Sequence, residues 1–279
     1  MNGVDRRAGR LPESHRASLR ILPSARLEQI LSEHRRWVES GKKYGRRADL
    51  YGTNLSEANL PGTHLRNALL AGVDLRNANL SRADLRDANF FGADLEGANL
   101  ARANLQGANF YIAVLTDSYL GWAKLQKANL SHADLQRAYL ASANLQGANL
   151  TRANLEGANF SRANLQKAVL VQSNLQNADL RGGNFTGAQL WDASLRGADL
   201  KMATLRGANL RNVEGLTPVQ LRAARDWDLA YYDENLAVKL TLPHDHNRRI
   251  RERLGAAAEK ASPPVSPRSS APRTSSSRL

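Results

Sequence analysis

The sequence predicts an all-β solenoid, in which the chain winds as a coil around a core of leucine. Every fifth residue from Leu50 to Leu210 is Leu or Phe, which makes 33 positions without a break. The residue two places before them is Ala in 27 cases, and the residue between is Asp or Asn in 23. A period of five fits neither a helix nor a continuous strand, whose periods are about 3.6 and 2.

The five-residue unit combines a short extended step with a turn. Within each unit the Ala and the Leu point one way and the Asp or Asn points the other, as in a strand. The next two positions are mostly Gly, Arg, Gln, Ser or Lys, which suit a turn. Because every Leu must then face the same interior, the chain has to coil. Stacked coils pair their backbone groups at a spacing of about 4.8 Å.

A second rhythm predicts four sides to each coil. The residue after the central Leu alternates between small and long side chains, as at Ser81 and Arg86. The small and the long side chains stack in separate columns if a coil has four sides, whereas a coil with three sides would mix them. Four sides also predict stacking between aromatic residues one coil apart, such as Phe90 and Phe110. A history of ten-residue duplication would leave the same rhythm, so that alternative stays open.

The units have the forms A(D/N)LxG, A(D/N)LxR and A(D/N)LxK and resemble the pentapeptide-repeat family throughout residues 48–213. The resemblance implies a right-handed quadrilateral β-helix of about eight coils, a rod roughly 39 Å long. The central Leu or Phe and the preceding Ala would line the interior, and the other positions would face solvent. A core filled with leucine leaves no room for a cofactor, and we expect none.

The rod needs short helical caps at both ends, because open coil edges invite aggregation. Residues 23–47 are predicted to be the N-terminal cap helix and its lead-in, with Ser24 as the helix cap and Gly41 at the helix end. The apolar stripe of this helix comprises Leu27, Ile30, Leu31, His34, Trp37 and Val38.

Residues 214–243 are predicted to form a C-terminal helical cap. Thr217, Pro218 and Gln220 have the pattern of a helix start with a capping box. The apolar residues that follow would cover the last coil. Alternatively they would form a homodimer seam, since some members of the resembling family dimerise through their C-terminal ends. The candidate residues for either role are Trp227, Leu229, Tyr231, Tyr232 and Leu236.

The charge lies mostly outside the repeat. Residues 1–47 carry 12 Lys/Arg against 5 Asp/Glu, whereas residues 48–213 carry 16 against 13. Residues 1–22 are predicted to be a disordered basic N-terminus, and residues 244–279 a polar, mostly disordered tail that is rich in Pro, Ser and Arg from Ser262. The chain has no cysteine, no secretory signal and no long apolar stretch, so we expect a cytoplasmic protein.

The sequence offers no catalytic arrangement, and we expect a protein that is not an enzyme and takes no small-molecule substrate. His244-Asp245-His246 is interpreted as a solvated polar segment, because structural metal sites usually need four ligands. Arg82, Arg102 and Arg162 share one corner of a four-sided coil. The surface pattern breaks at mid-rod, where apolar and aromatic residues form a candidate partner-binding patch. Its members are Phe91, Tyr111, Ile112, Val114, Tyr119, Trp122 and Tyr139.

The leading hypothesis is a non-enzymatic scaffold that presents a rigid rod surface to a protein partner, as other solenoids do. Some members of the resembling family protect DNA gyrase by mimicking the size and negative charge of DNA. The net charge of +3 on residues 48–213 and of +13 on the chain departs from that pattern. A third hypothesis is binding of nucleic acid or an anionic membrane through the basic ends, where "RRAGR", "KKYGRR" and "RRIRER" lie.

Overall fold

The computed structural model describes residues 19–261, with side chains over residues 19–255. Its helices and strands are β1 (Arg20–Ile21), α1 (Ser24–Glu39), β2 (Thr53–Asn54), α2 (Pro218–Arg222), a 3-10 helix (Trp227–Leu229), α3 (Glu234–Lys239) and α4 (His246–Ala261). Between β2 and α2 the chain repeats one extended step and one turn every five residues. The predicted disorder of residues 1–18 and 262–279 concerns residues outside the described part.

Parallel backbone bridges join each unit to the unit 20 residues further along the chain, as Asn59 to Asn79 and Asn79 to Asn99. In each bridge the amide of one coil donates to a carbonyl of the next, as from Leu60 to Asn79 at 2.7 Å. The 20-residue spacing predicted from the alternating rhythm is therefore present. The chain forms a β-helix solenoid in which single bridging residues, rather than long strands, carry the pairing.

Four columns of bridges define four sides of the coil, which we number in chain order. Side one carries Asn109, side two Val114, side three Tyr119 and side four Lys124, each with the residues 20 positions before and after it. Each corner is named by the two sides that it joins. β1 adds a short pairing at the start of the rod, where Arg20 lies opposite Thr53 in parallel register.

The core is a continuous column of Leu and Phe side chains. Every fifth residue from Leu50 to Leu210 is buried, with at most 7% of its surface exposed. Phe90 and Phe110 stack with ring centroids 4.7 Å apart and nearly parallel planes, as the four-sided coil predicts. The small Ala before each Leu lets the neighbouring sides pack closely, and most of these alanines are fully buried.

Each corner is a turn closed by one hydrogen bond, as where the Ala98 amide donates to the Leu95 carbonyl at 3.0 Å. The second residue of every turn from Gly52 to Asn212 has a positive φ. The Asp or Asn before the Leu supports the turn through its side chain: Asn99 Oδ1 accepts from the Ala101 amide at 3.0 Å. The repeated Asp and Asn residues therefore serve local hydrogen bonding at corners, as the sequence predicted.

At the N-terminal end α1 lies against the first coil. Leu27, Ile30 and Leu31 pack against the core, and the buried His34 accepts a hydrogen bond at Nδ1 from the Ala48 amide at 2.9 Å. The prediction that Ser24 caps this helix is wrong. The N-cap position is Pro23, and Ser24 already belongs to the first turn, so its hydroxyl makes no cap hydrogen bond.

At the C-terminal end the backbone ladder continues past the repeat, with bridges from Thr204 to Arg225 and from Asn209 to Tyr231. The predicted capping box of α2 is present: the Thr217 hydroxyl accepts from the Gln220 amide, and the Gln220 side chain accepts from the Thr217 amide. The segments that follow bury Leu221 and Leu240 against the last coil.

The ordered C-terminal region extends beyond the boundary at residue 243 that the sequence suggested. α4 occupies the first part of the expected polar tail. His246 and Ile250, four residues apart on one stripe of this helix, are buried. A Cβ atom on Gly207 would lie 3.0 Å from Leu254 of α4. This helix was not predicted from the sequence, because its apolar stripe is narrow among many charged residues.

Candidate interaction surface

The predicted mid-rod patch divides into two surfaces. Corner one-two and the adjoining side two carry Phe91, Tyr111, Ile112 and Val114. Side three and corner three-four carry Tyr119, Trp122 and Tyr139. In a coil with four corners, corner one-two and corner three-four are opposite each other. The seven residues therefore do not form one continuous patch.

The corner one-two cluster is a short stack of rings. Phe91 and Tyr111 lie on successive coils with ring centroids 5.8 Å apart, and His132 meets Tyr111 edge-on at 5.5 Å. The side chain of Ile112 reaches the coil before it, where a Cβ on Gly92 would lie 3.8 Å from Ile112 Cδ1. His132 was not among the predicted patch residues, although its place one coil after Ile112 could have indicated the contact.

Val114 does not belong to an exposed patch, because only 1% of its surface is exposed. It bridges Asp94 on one neighbouring coil and Asp134 on the other. A short β-branched side chain on a flat side lies below the level of the longer side chains around it. Val114 was predicted to be exposed because its position in the unit faces outward.

Side three, corner three-four and the adjoining edge of side four carry a second cluster, which we call the corner three-four strip. It comprises Arg82, Arg102, Tyr119, Trp122, Lys124, Tyr139 and Arg162. Tyr119 and Trp122 are 58% and 54% exposed. The Tyr119 and Tyr139 rings are 6.2 Å apart, and the Arg102 guanidinium lies 5.6 Å from the centroid of the Trp122 ring.

The strip is built at some cost to the turns beneath it. Val114, Tyr119 and Lys124 replace Asp or Asn on three consecutive sides, so the turns that follow lack the usual side-chain acceptor. Trp122 has a φ of 57°, a conformation that glycine adopts more cheaply than a bulky residue. Gly121 leaves room for Tyr139, since a Cβ there would lie 3.0 Å from Tyr139 Cε1. In this region exposed aromatic rings therefore stand in place of residues that would stabilise the turns.

The strip is basic, and the one carboxylate within its stacked segments is held in an ion pair. Across the five stacked segments that run from 79–85 to 159–165 there are four basic residues and one acidic residue, Asp84. Arg86 holds both oxygens of Asp84, with its Nε 2.8 Å from Oδ1. Burial alone would raise the pKa of Asp84, but the hydrogen bonds from Arg86 outweigh it and lower that pKa below its ordinary value.

Side two and corner two-three have the opposite charge. Their stacked segments from 74–77 to 154–157 carry six acidic and two basic residues. Asp74 and Asp94 are buried, and Arg76 Nη2 lies 2.6 Å from Asp74 Oδ2. Asp117 pairs with Arg137 on the next coil at 2.6 Å. The rod is therefore basic along one side and acidic along the neighbouring side.

The candidate residues for a cap or dimer seam pack within their own chain. Leu229, Tyr232 and Leu236 are buried, and Trp227 and Tyr231 are half-buried. The Tyr232 hydroxyl donates to the Trp227 carbonyl at 2.6 Å, and burial raises the pKa of this hydroxyl well above its ordinary value. The large apolar side chains that stay exposed at this end are Val219 and Val238.

The two histidines of the His244-Asp245-His246 segment lie in different environments. His244 is exposed, whereas His246 is buried with Nε2 2.9 Å from the Ala230 carbonyl. Among the residues that the structure describes, no group of three His, Cys, Asp or Glu side chains could hold a metal ion. Within the same residues, no helix has the length and apolar character needed to cross a membrane.

Comparison with known proteins identifies the repeat and its fold. The family model for pentapeptide repeats (8 copies) matches residues 48–87, 83–118, 113–152, 138–177 and 173–212. The chain is similar to the crystal structure of HetL, a pentapeptide repeat protein involved in heterocyst differentiation regulation from the cyanobacterium Nostoc sp. strain PCC 7120. The two are 28% identical with a TM-score of 0.59, over 75% of this chain and 94% of HetL.

Two further solved structures have lower structural similarity. QnrB1, a plasmid-mediated fluoroquinolone resistance protein, is 20% identical over 71% of this chain and 95% of its own, with a TM-score of 0.35. The pentapeptide repeat protein alr5209 from Nostoc PCC 7120 is 34% identical over 38% of this chain and 83% of its own, with a TM-score of 0.21. A search of functionally curated proteins gave no significant match. The family model, the bridge spacing and the HetL similarity together show that the chain belongs to the pentapeptide repeat family.

Proposed function

We propose that the protein is a non-enzymatic scaffold that binds another protein through side chains on the outside of its rod. The observation that carries this proposal is the exposure of Tyr119 and Trp122 at positions where smaller polar residues would suit the turns better. Tyr and Trp are frequent anchors of protein interfaces. The role of HetL in regulating differentiation also favours a regulatory role over a catalytic one.

The backbone of the rod supports recognition by side chains. Along the sides, amides and carbonyls pair with the coils before and after, as where Tyr119 donates to Ala98 and accepts from Leu100. A partner therefore cannot add a strand to a side of the rod, as it can at an open sheet edge. It has to contact the outer residues of several coils at once.

The finer architecture belongs to the same proposal. The rod would have about eight right-handed, four-sided coils, consistent with the sheet spacing between bridged residues. α1 would cap one end and the segments from α2 to α4 the other, which would protect the terminal coils from pairing with other chains. A cytoplasmic location remains part of the proposal and rests on the absence of cysteine from the sequence.

Affinity capture with three baits tests the proposed function. The baits are the unchanged protein, Tyr119→Ser/Trp122→Ser on one surface and Phe91→Ser/Tyr111→Ser on the other. Circular dichroism and thermal melting check that both variants keep the fold, as expected for exposed residues. We expect one double variant to lose a protein that the other bait retains. Identical sets of captured proteins from all three baits would contradict the proposal.

Binding through the basic ends is a second proposal, favoured by the exposed Lys42 and Lys43 beside α1. Contacts of this kind, to nucleic acid or an anionic membrane, weaken steeply as salt is added. Retention on DNA and on anionic vesicles, measured from low to high salt, tests it. No retention at low salt would mean that these charges serve solubility.

A DNA-mimic role with a topoisomerase is disfavoured by the net charge of +3 on residues 48–213. A homodimer through the C-terminal end would have to form without the aromatic residues that are buried there.

A further inference from the structure

The corner three-four strip offers arginines that form no ion pair with any carboxylate among the described residues. Arg82, Arg102 and Arg162 are exposed, and none of them forms an ion pair with any residue in the part of the chain whose side chains are described. Elsewhere on the rod, Arg76, Arg86, Arg137 and Arg181 each hold a carboxylate at 2.5–2.7 Å. The strip therefore has positive charge available for an external partner.

The order of side chains along the strip has a definite pattern. Arg82 and Arg102 lie on successive coils, with the Arg82 amide donating to the Ala101 carbonyl. Trp122 follows on the next coil, and Arg162 lies two coils beyond Trp122. At about 4.8 Å a coil, the pattern of basic, aromatic and basic groups extends over roughly 19 Å. An extended peptide covers that distance with about six residues.

We infer that the corner three-four strip binds a short acidic segment of the partner protein, in which an apolar residue lies between acidic residues. This inference rests on the proposed function. The acidic residues pair with Arg82, Arg102 and Arg162, where unlike charges meet at an exposed surface. The apolar side chain packs on Trp122 and Tyr119, which supply rigid contact area.

The charges around the strip favour a peptide over a nucleic acid. A nucleic acid carries a phosphate at every nucleotide and usually requires a long run of basic residues. Here the basic stretch is short, and the adjoining corner two-three presents Glu96, Asp117 and Glu156. A second copy of the chain is disfavoured as well, because on its acidic side Asp74 and Asp94 are buried and Asp117 already pairs with Arg137.

Fluorescence anisotropy with a labelled hexapeptide tests the inference. The probe has two Glu residues at each end and a central Phe-Leu pair, and its matched control carries Gln in place of every Glu. We expect the full-length protein to bind the acidic probe, with an affinity that falls as salt rises. Arg102→Glu should weaken binding at least tenfold, and Trp122→Ser should weaken it several-fold at unchanged salt dependence.

Lys167→Glu is the matched control variant. Lys167 is exposed, lies at the same position of a turn with a φ of 57°, and belongs to corner four-one, so the same change of charge there should leave probe binding unchanged. Equal loss in Lys167→Glu and Arg102→Glu would overturn the inference, as would equal binding of the Gln control peptide or no binding of the acidic probe. Tighter binding of a ten-nucleotide oligothymidylate would assign the strip to nucleic acid instead.

Two outcomes separate this inference from the proposed function. If Arg102→Glu still captures the protein that Tyr119→Ser/Trp122→Ser loses, the scaffold function stands and the acidic segment is excluded. If the unchanged protein self-associates in sedimentation and Arg102→Glu prevents this, the partner is a second copy and the inference fails.

Discussion

The two ends of the rod are covered to different depths. At the N-terminal end α1 lies over the first coil, and His34 is the one buried residue of this helix. At the C-terminal end four segments together bury Leu221, Tyr232, Leu240 and Ile250. Because buried apolar area sets most of the packing free energy, we expect the C-terminal end to resist unfolding better than the N-terminal end.

Both ends also bury a histidine, but the two rings make opposite hydrogen bonds. His34 Nδ1 accepts from the Ala48 amide, so a proton on that nitrogen would break the bond. His246 Nε2 faces the Ala230 carbonyl at 2.9 Å, and a carbonyl only accepts, so this nitrogen donates. Acid therefore acts against the contact of α1.

The largest expected effect is at the C-terminal end. Tyr232→Ala should lower the free energy of unfolding by roughly 3–5 kcal/mol, because it empties a fully enclosed aromatic site. Leu27→Ala, in the half-buried stripe of α1, should cost about 1 kcal/mol. Urea denaturation of both variants measures the difference. Equal losses would show that the two ends contribute alike.

A backbone change at the N-terminal end should come next. Gly45 has a φ of +80°, and a Cβ there would lie 2.8 Å from the Trp37 amide nitrogen of α1. Gly45→Ala should therefore cost roughly 2–4 kcal/mol and release α1 from the coil. Gly41→Ala is the matched control, since Gly41 also has a positive φ but nothing within 4 Å of its added Cβ. It should cost only about 1 kcal/mol. Limited proteolysis reports the release of α1.

The difference between the two histidines predicts a pH dependence at one end. Burial lowers the pKa of His34 below its ordinary value of 6.5, so the unfolded chain takes up the proton first. The stability from this contact is present above about pH 6.5 and is lost as the pH falls below that value. Hydrogen exchange at pH 7 and pH 5, corrected for the slower intrinsic exchange at the lower pH, should show reduced protection of α1 at pH 5 relative to α4. His34→Gln should remove the dependence; an equal loss of protection at both ends would contradict it.

The smallest effect should come from the helix starts. The Thr217 hydroxyl caps α2, so Thr217→Ala should cost about 1 kcal/mol. The Ser24 side chain makes no cap hydrogen bond, and Ser24→Ala should change stability by less than about 0.5 kcal/mol. Thermal melting of the two variants checks this. A larger loss at Ser24 than at Thr217 would restore the capping role that the sequence suggested.

The interior of the rod could be predicted from the sequence because each unit repeats the same local choice. Leu at every fifth position and the alternating residue after it were enough to indicate the 20-residue spacing and the stacking of Phe90 on Phe110. Asn before Leu indicated the side-chain hydrogen bonds at corners, as at Asn99. These features depend on residues close in sequence or at a fixed interval.

The outer surface was harder to predict, because burial there depends on neighbours one coil away. Val114 faces outward by its place in the unit, yet it lies enclosed between neighbouring coils. Residues close in sequence, such as Tyr111 and Trp122, lie at opposite corners. The cap residue of α1 was predicted one position late, at Ser24, because Pro23 takes the cap position and Ser24 begins the helix.

Because the ladder joins residues 20 positions apart, insertions affect the core and the surface of the rod differently. Duplicating five residues would add another Ala and Leu to the interior and leave the core filled. Every residue after the insertion, however, would move round by one side, so Trp122 and Arg102 would no longer share a corner. Insertion of a single five-residue unit therefore changes which surface residues share a corner. Insertion of a whole coil of twenty residues lengthens the rod and keeps the existing columns of residues. Relatives with equally well-filled interiors can differ in their partners for this reason alone.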